Sequence, residues 1–238
     1  MEKTENLLIR QLPKTVRRAF LEQCEPFELV LSAELGERGK ALGHAYFPLE
    51  GFITLVIDVD SHPMLEVGMI GREAMLGSEL ILGASKAPWR ALVQCPGHSW
   101  RISARSLRGA IAANPALRRV LQRFVMVRLY QQALGAACER FHMVSPRLAR
   151  LMLMSQDRAQ ADDFHVTQEF MALMLGVRRE GITIAANQFQ SRGLIEYHRG
   201  RITVLDRKAL QAEACNCYAA DKQIYADLMN APAGRNPT

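Results

Sequence analysis

Long hydrophobic runs are missing from this 238-residue chain. No apolar stretch approaches the roughly 18 residues that a membrane-spanning helix needs, and the first residues lack the basic segment and apolar core of a secretory signal. Both absences predict a cytoplasmic protein without a membrane partner. A hydrophobic fraction of 49% nevertheless allows a core in each of two domains.

Cysteine is scarce, and its five positions, an odd number, are spread over the whole chain: Cys24, Cys95, Cys138, Cys215 and Cys217. This pattern is typical of a reducing compartment rather than of a disulfide framework. The one close pair, Cys215 and Cys217, lacks the second pair of ligands that a zinc or iron–sulfur site requires. The sequence therefore predicts no metal and no cofactor, and we expect both residues to be ordinary thiols on a C-terminal helix.

A recognisable catalytic set is also missing. The candidate acid–base and metal-binding side chains of the first half show no metal-ligand or nucleophile spacing: His44, Glu66, Glu73, Glu79 and His98. We therefore expect the chain not to be an enzyme.

Acidic residues are absent between Arg101 and Cys138, where seven arginines occur. This local excess and the formal net charge of +6 favour an anionic partner. A solvated helix face, a site for an anionic effector and a surface against the flanks of bent DNA all fit the same charge pattern.

Short β-rich runs separated by glycines occupy the region from Cys24 to Ser103. Six strands are predicted: Phe27–Leu31, Ala45–Phe47, Phe52–Val59, Met64–Val67, Ala91–Gln94 and Ser99–Ile102. Their spacing predicts an antiparallel roll, preceded by a helical lead of about twenty residues.

A helical period begins after Asn114 and Pro115. Eight positions alternate in steps of three and four: Leu117, Val120, Phe124, Val127, Gln131, Leu134, Cys138 and Phe141. This spacing predicts a long helix that pairs with its own copy in a parallel dimer, in which Gln131 either fixes the register or contacts a ligand at the dimer axis. The alternative is that these residues cover the roll of their own chain.

The stretch from Phe164 to Leu205 predicts two short helices followed by a hairpin. Thr167 caps the first helix, and Gly176 ends it. The second helix runs from about Arg179 to Ser191, and two strands then flank the turn His198-Arg199-Gly200. This order is that of a winged helix-turn-helix.

A further helix should precede this unit. Ser145 is predicted to be its cap and Pro146 its first residue, and it should end at about Asp157. We place the hinge between the two halves of the chain here.

A helix-turn-helix places its second helix in the DNA major groove, where residues of the first turn reach base edges. The candidate DNA contacts are Thr167, Gln168, Arg178, Arg179, Glu180, Thr183, Arg199 and Arg201. The alternative is an ordinary helical hairpin with a solvated basic face.

The whole arrangement resembles the family of the cyclic-AMP receptor protein and the FNR regulators. The most specific matches are Val166-Thr167-Gln168-Glu169, the run from Leu175 to Glu180, and Gly193-Leu194-Ile195. The roll is similar to a subgroup with Tyr46-Phe47-Pro48 and the run from Glu66 to Glu73.

The resemblance implies an α+β protein with three parts. These are a jelly-roll-like antiparallel β-roll (1–113), a dimerisation helix (114–142) and a winged helix-turn-helix domain (145–238). It also implies a homodimeric transcription factor that binds a two-fold symmetric site on double-stranded DNA, with RNA polymerase and a small-molecule effector as further candidate partners.

The resemblance also assigns roles within the DNA-binding unit. Arg179 and Glu180 correspond to base-reading residues, whereas Thr167 and Gln168 correspond to phosphate contacts. Ile184 stands where the family commonly has a second arginine, which implies an altered base preference.

In the effector pocket the chain departs from the cyclic-nucleotide binders of the family. The residues there are Gly77, Ser78, Glu79 and, after Trp89, Arg90. Because the family's Gly-Glu pair and its Arg-Ser or Arg-Thr pair are both lost, we expect the roll not to bind cyclic AMP. An alternative function is a small-molecule or protein-partner binding module with a weak or vestigial DNA-binding domain.

Overall fold

The computed structural model of the protein describes residues 5–60 and 62–230. The first four residues of the predicted helical lead and the last eight of the predicted C-terminal domain lie outside them. Within the described ranges, no helix combines the length and the apolar character needed to cross a bilayer.

Two short helices, α1 (Leu7–Arg10) and α2 (Lys14–Leu21), open the chain. Asn6 fixes the first of them to the roll. Its side-chain oxygen accepts from the first-turn amides of α1, while its side-chain amide donates to the carbonyl oxygens of Pro48 and Ala74 at 3.0 and 2.9 Å. This buried side chain therefore both caps the helix and docks it.

The region that follows is an antiparallel roll of two sheets. Its strands are β1 (Glu25–Leu29), β2 (Glu34–Gly36), β3 (His44–Pro48), β4 (Phe52–Val59), β5 (His62–Ile70), β6 (Arg90–Cys95) and β7 (Gly97–Ser103). The strand orders are β1-β7-β3 and β2-β6-β4-β5. Six of the seven overlap the predicted strands; β2 was not predicted, because three residues are too few to show an alternating pattern.

Two helices follow the roll, α3 (Ala104–Ala113) and α4 (Pro115–Phe141). The side chain of Asn114 accepts from the amides of Ala116 and Leu117, so the predicted start of the long helix coincides with a true cap. The 27-residue length of α4 carries it from the roll to the C-terminal half of the chain.

The first half of the α4 stripe that was predicted to meet a partner helix packs on the roll of its own chain. Leu117, Phe124 and Val127 are at most 2% exposed in the core of the roll, and Val120 packs at its edge. Burying such a side chain contributes roughly 1.5–3 kcal/mol, so the roll alone accounts for these residues. For this part of the helix the structure favours the alternative that the stripe covers its own roll.

The other four predicted interface residues have different surroundings. Gln131 accepts a hydrogen bond from Arg128 at 3.1 Å, Leu134 and Cys138 pack in a small cluster with two C-terminal cysteines, and Phe141 is 77% exposed. None of these surroundings requires a second chain.

The next helix, α5 (Val144–Ala159), begins earlier than predicted. Its N-cap is Met143 rather than Ser145, and no side chain makes the capping hydrogen bond. Pro146 is therefore inside the first turn of α5. Backbone N–H groups in the first turn have no acceptor within the helix, so the missing N–H of proline costs no helical hydrogen bond there.

The C-terminal unit packs on α5. Its elements are β8 (Asp163–His165), α6 (Gln168–Leu175), α7 (Arg179–Ser191), β9 (Ile195–His198), β10 (Arg201–Val204), α8 (Arg207–Glu213) and α9 (Cys217–Asn230). The sheet order is β8-β10-β9, and β8 was not predicted. Phe52 and Met69 of the roll join the core of this unit, so the two halves share apolar contacts.

The predicted single C-terminal helix is interrupted. Asp206 caps α8, which ends at Glu213, and a new helix starts at Cys217. Cys215 therefore lies in the connection between two helices, and the expectation that both cysteines sit on one helix is wrong.

Candidate nucleic-acid interface

Local signals in the sequence set the geometry of the helix pair α6–α7. The hydroxyl of Thr167 accepts from the amide of Phe170 at 3.1 Å, and Gly176 adopts φ +60°, as its predicted capping role requires. Only two residues separate Gly176 from the first residue of α7. The turn between the two helices is therefore tight.

Helix α7 has one buried and one exposed face. Its inner residues Ile182, Ala185, Ala186 and Phe189 are at most 3% exposed. Arg178, its N-cap, and Arg179 and Glu180 in its first turn are exposed, as is Ile184. The leading edge of the helix therefore presents two guanidinium groups and a carboxylate to solvent.

A hydrogen-bond network holds α6, α7 and the hairpin together. The Thr183 hydroxyl donates to Gln168 Oε1 at 2.7 Å, with the carbonyl oxygen of Arg179 as a second acceptor at 3.1 Å. The backbone amide of Gln168 donates to the Tyr197 hydroxyl at 3.2 Å. Thr183 and Gln168 thus position the first turn of α7 relative to β9.

The hairpin β9–β10 closes through a two-residue turn. Arg199 and Gly200 have φ +47° and +80°, the pair of positive angles that a type I′ turn requires. The turn therefore exposes the side chain of Arg199 at its tip.

Arg201, unlike Arg199, has an acidic partner among the described residues. Although it is exposed, it forms an ion pair with Asp163 of β8. The predicted phosphate contact at Arg201 would compete with this carboxylate.

The predicted effector residues lie on two elements. Gly77 adopts φ +90° before the 3₁₀ turn Ser78–Leu82, and the Ser78 hydroxyl donates to Glu79 Oε1 at 3.2 Å. Arg90 lies on β6, where Nε donates to Glu34 Oε1 at 3.1 Å, a hydrogen bond that raises the pKa of the guanidinium. Arg90 is therefore paired with a carboxylate of the neighbouring strand β2.

A cavity of about 270 Å³ lies instead between the roll and the C-terminal unit. Its walls come from β4, β5, α4, α5, α6 and α9, and none of the four predicted effector residues lines it. Four arginines do: Arg128, Arg147, Arg150 and Arg158. All of them except Arg147, which donates to the carbonyl oxygen of Leu175, have a buried side-chain nitrogen that has no hydrogen-bond acceptor among the described residues.

Glu66 is the carboxylate of β5 that faces this cavity. Burial raises its pKa to about 7, against the opposing charges of Arg150 and Arg158. Arg128 of α4 lies directly against Gly68, which belongs to β5 like Glu66. A Cβ added at Gly68 would fall 2.5 Å from Nη2 of Arg128. The run from Glu66 to Glu73 therefore contacts the arginines that line the cavity.

Replacing Glu66 with glutamine should remove a pH dependence of stability. Because the folded-state pKa is about 7 and the ordinary value is 4.5, the contribution of Glu66 is fully present below about pH 4.5 and is lost as the pH rises through 7. The cavity admits water, so we expect a loss of about 1–2 kcal/mol in the wild type and little in Glu66→Gln. Urea unfolding at pH 5.5 and 8 measures the difference.

The exposed Glu28 of β1 provides the control, since Glu28→Gln should follow the wild type at both pH values. If Glu66→Gln also followed the wild type, the raised pKa would be wrong.

A buried ion pair connects the end of β5 with the end of α5. Arg158 Nε lies 2.9 Å from Glu73 Oε1, although the angle is not that of a hydrogen bond, and the side chains are only 7% and 20% exposed. Gly71 lies against the Arg158 stem, and the Tyr225 hydroxyl donates to the Glu73 carbonyl oxygen at 2.8 Å. These contacts fix the roll to the helix that leads into the C-terminal unit.

Residues 146–213 match the family model described as the Crp-like helix-turn-helix domain. A search of the curated proteins finds no match. Among solved structures, the chain is similar to FixK2 from Bradyrhizobium japonicum, with 14% identity and a TM-score of 0.68 over 81% of this chain and 98% of that one.

Two further structures are similar. The c-di-GMP responsive global regulator CLP from Xanthomonas campestris has 16% identity and a TM-score of 0.65 over 81% of this chain and 99% of its own. A CRP-family transcriptional regulator from Thermus thermophilus has 18% identity and a TM-score of 0.65 over 79% of this chain and 96% of its own. Residues 146–213 thus match the Crp-like helix-turn-helix domain, and the chain shares its fold with solved regulators of the CRP/FNR type.

Proposed function

We propose that the protein is a transcriptional regulator that binds a two-fold symmetric DNA site as a homodimer. The observation that carries this proposal is the exposed, charged first turn of α7, which hydrogen bonds connect to the hairpin with the exposed Arg199 at its tip. An α-helix with its side chains is about 10–12 Å across, which fits a major groove about 12 Å wide. The hairpin then reaches the neighbouring phosphates.

The exposed residues divide into two kinds of contact. Arg179 and Glu180 read base edges, since they lie in the first turn of α7. Arg178, Thr167 and Arg199 contact phosphates, whereas Thr183 and Gln168 hold the recognition helix in place through their mutual hydrogen bond. Arg201 contributes to phosphate binding only to the extent that Asp163 releases it.

The dimer surface that we propose is the exposed face of α4. Met126, Leu129 and Tyr130 are 54%, 57% and 41% exposed, which is unusual for large apolar side chains on one stripe. Ala133 and Ala136 extend this side of the helix, and each member lies three or four residues from another, as on a helix that packs against a parallel copy. This stripe is opposite to the buried one.

We further propose that residues 1–113 act as the sensor part, 114–142 as the dimerisation helix and 145–238 as the DNA-binding part. An effector that enters the cavity between them would be an anion, because Arg128 and Arg150 offer it buried donors without acceptors. Cyclic AMP is not the ligand that we propose, since Ser78 and Arg90 replace the residues that would hold its phosphate and Arg90 is paired with Glu34. RNA polymerase is the partner that the family resemblance suggests.

Two arginine variants test the DNA-binding proposal. Arg179→Ala should weaken binding to the preferred site by about 1–3 kcal/mol and relax its sequence preference. Arg199→Ala should weaken binding to all sequences similarly. The slope of log affinity against log salt concentration should become shallower by the amount expected for about one phosphate contact. Fluorescence anisotropy titrations on the preferred site and on a scrambled duplex, at several salt concentrations, measure both effects.

Arg38→Ala is the matched control, because it removes the same charge from an exposed position on the roll. It should leave affinity and specificity almost unchanged. Equal loss of specificity in Arg179→Ala and Arg199→Ala would contradict the assignment of roles, and the absence of any salt-dependent binding by the wild type would favour the binding-module alternative.

A further inference from the structure

Four potential metal ligands meet where the long helix ends. Cys138 belongs to the last turn of α4, His142 is the residue that caps this helix, and Cys215 and Cys217 come from the connection between α8 and α9 and from the first position of α9. Their three sulfur atoms and the histidine nitrogen all lie within 4.8 Å of one another. The cysteine pair in the C-terminal segment therefore acquires the second pair of ligands that it lacks in the sequence.

The distances suit a tetrahedral site. Cys138 Sγ lies 3.5 Å from Cys215 Sγ, and Cys217 Sγ lies 3.6 Å from His142 Nδ1. A zinc–sulfur bond of about 2.3 Å gives a tetrahedron with ligand–ligand edges of roughly 3.8 Å. The 3.5 Å separation is far longer than a disulfide bond, and all five cysteines are free.

The surroundings also favour a bound cation. All three cysteines are at most 8% exposed, and Leu134 packs against them, so the site is shielded from solvent as structural zinc sites are. Three thiolates and one neutral imidazole around a divalent ion carry a net charge of −1. The positive charge of Arg150 acts on both Cys138 and Cys217 and would offset it.

We propose that Cys138, His142, Cys215 and Cys217 bind one Zn²⁺ ion in a closed structural site. Three thiolates with one imidazole are a donor set that zinc prefers, and four protein ligands leave no position open for a substrate. On binding, the three thiols release their protons to solvent and no electrons are transferred.

The position of the site indicates that the ion would stabilise the contact between two helices. It would join the C-terminal end of α4 to the start of α9. The Cys215 amide also donates to the Pro146 carbonyl oxygen at 3.4 Å, so the same connection contacts the first turn of α5. A metal here would fix the junction between the long helix and the C-terminal unit, independently of the DNA proposal.

Metal analysis of the full-length protein, purified under reducing conditions and dialysed against a weak chelator, tests the site. We expect about one zinc per chain in the wild type. Apoprotein titrated with Co²⁺ should show thiolate-to-cobalt charge transfer in the near ultraviolet and the strong visible bands of a tetrahedral site. Chelator removal of the metal should lower the melting temperature.

Cys138→Ser and Cys217→Ser should lose the metal and the cobalt spectrum. Cys24→Ser and Cys95→Ser, which remove thiols outside the cluster, should retain both. The cobalt titration uses the wild-type chain, so it tests the proposal even if a variant of the cluster fails to fold. Folded wild-type apoprotein without cobalt bands, a Cys138–Cys215 disulfide in the reduced preparation by mass spectrometry, or an iron cluster in place of zinc would each overturn the proposal.

Discussion

Glutamate in place of Met126 or Leu129 is expected to convert the protein into monomers. In a parallel pair of α4 helices, each substitution would bring two carboxylates together at the two-fold axis, away from water and without a partner cation. Since a single half-site is held by one recognition helix alone, specific DNA affinity should fall by at least two orders of magnitude, about 3 kcal/mol or more. Multi-angle light scattering gives the mass in solution, and anisotropy gives the affinity.

Leu82→Glu is the matched control, because it places the same charge at an apolar residue of the roll that is 71% exposed. It should leave both mass and affinity unchanged. A dimer that persists in both Met126→Glu and Leu129→Glu would rule out this face of α4. Phe124→Glu would be uninformative, since Phe124 is 1% exposed in the core of its own roll and a charge there would unfold the monomer.

Removal of the Glu73 carboxylate should destabilise the protein by about 3 kcal/mol. Glu73→Ala leaves the guanidinium of Arg158 buried without its nearest counter-ion, and the cost of an unpaired buried charge exceeds that of losing the attraction itself. Equilibrium urea unfolding, followed by circular dichroism, measures the change in the free energy of unfolding.

Glu34→Ala breaks the Arg90–Glu34 pair, whose side chains are 32% and 37% exposed, and serves as the comparison. It should cost less than about 1 kcal/mol, because water solvates the remaining charge. Similar small losses for the two variants would show that Glu73 and Arg158 are not a buried pair in solution.

Local chemistry made the helix-turn-helix predictable. Thr167 and Gly176 fix the two ends of α6 through capping and a left-handed φ, and both signals act within a few residues. The predicted bounds of α7, Arg179 to Ser191, coincide with the observed ones. Strand β4 was likewise predicted from Phe52 to Val59, since its apolar run is long enough to stand out.

Which face of α4 would meet a partner in the proposed dimer could not be predicted in this way. The helix has two apolar stripes on opposite sides, one through Phe124 and one through Met126, and both repeat in steps of three and four. Periodicity identifies a buried stripe but does not tell which surface buries it. Only the position of the roll distinguishes the two.

Long-range contacts account for the other differences. Cys138 and Cys215 are 77 residues apart in the chain, and Glu73 and Arg158 meet across the junction of the two halves. No local pattern encodes such pairings. A lone C-x-C therefore predicted no metal site, although a histidine four residues after Cys138 was visible at helical spacing and was the one available signal.

Selection of bound sequences from random double-stranded DNA tests the central claim most directly. The wild-type protein should enrich an inverted repeat whose half-sites are centred about 10 base pairs apart, or a multiple of this, because a two-fold dimer places its two α7 helices in major grooves on one side of the duplex. Enrichment of a single asymmetric site, or of no sequence at all, would contradict the account.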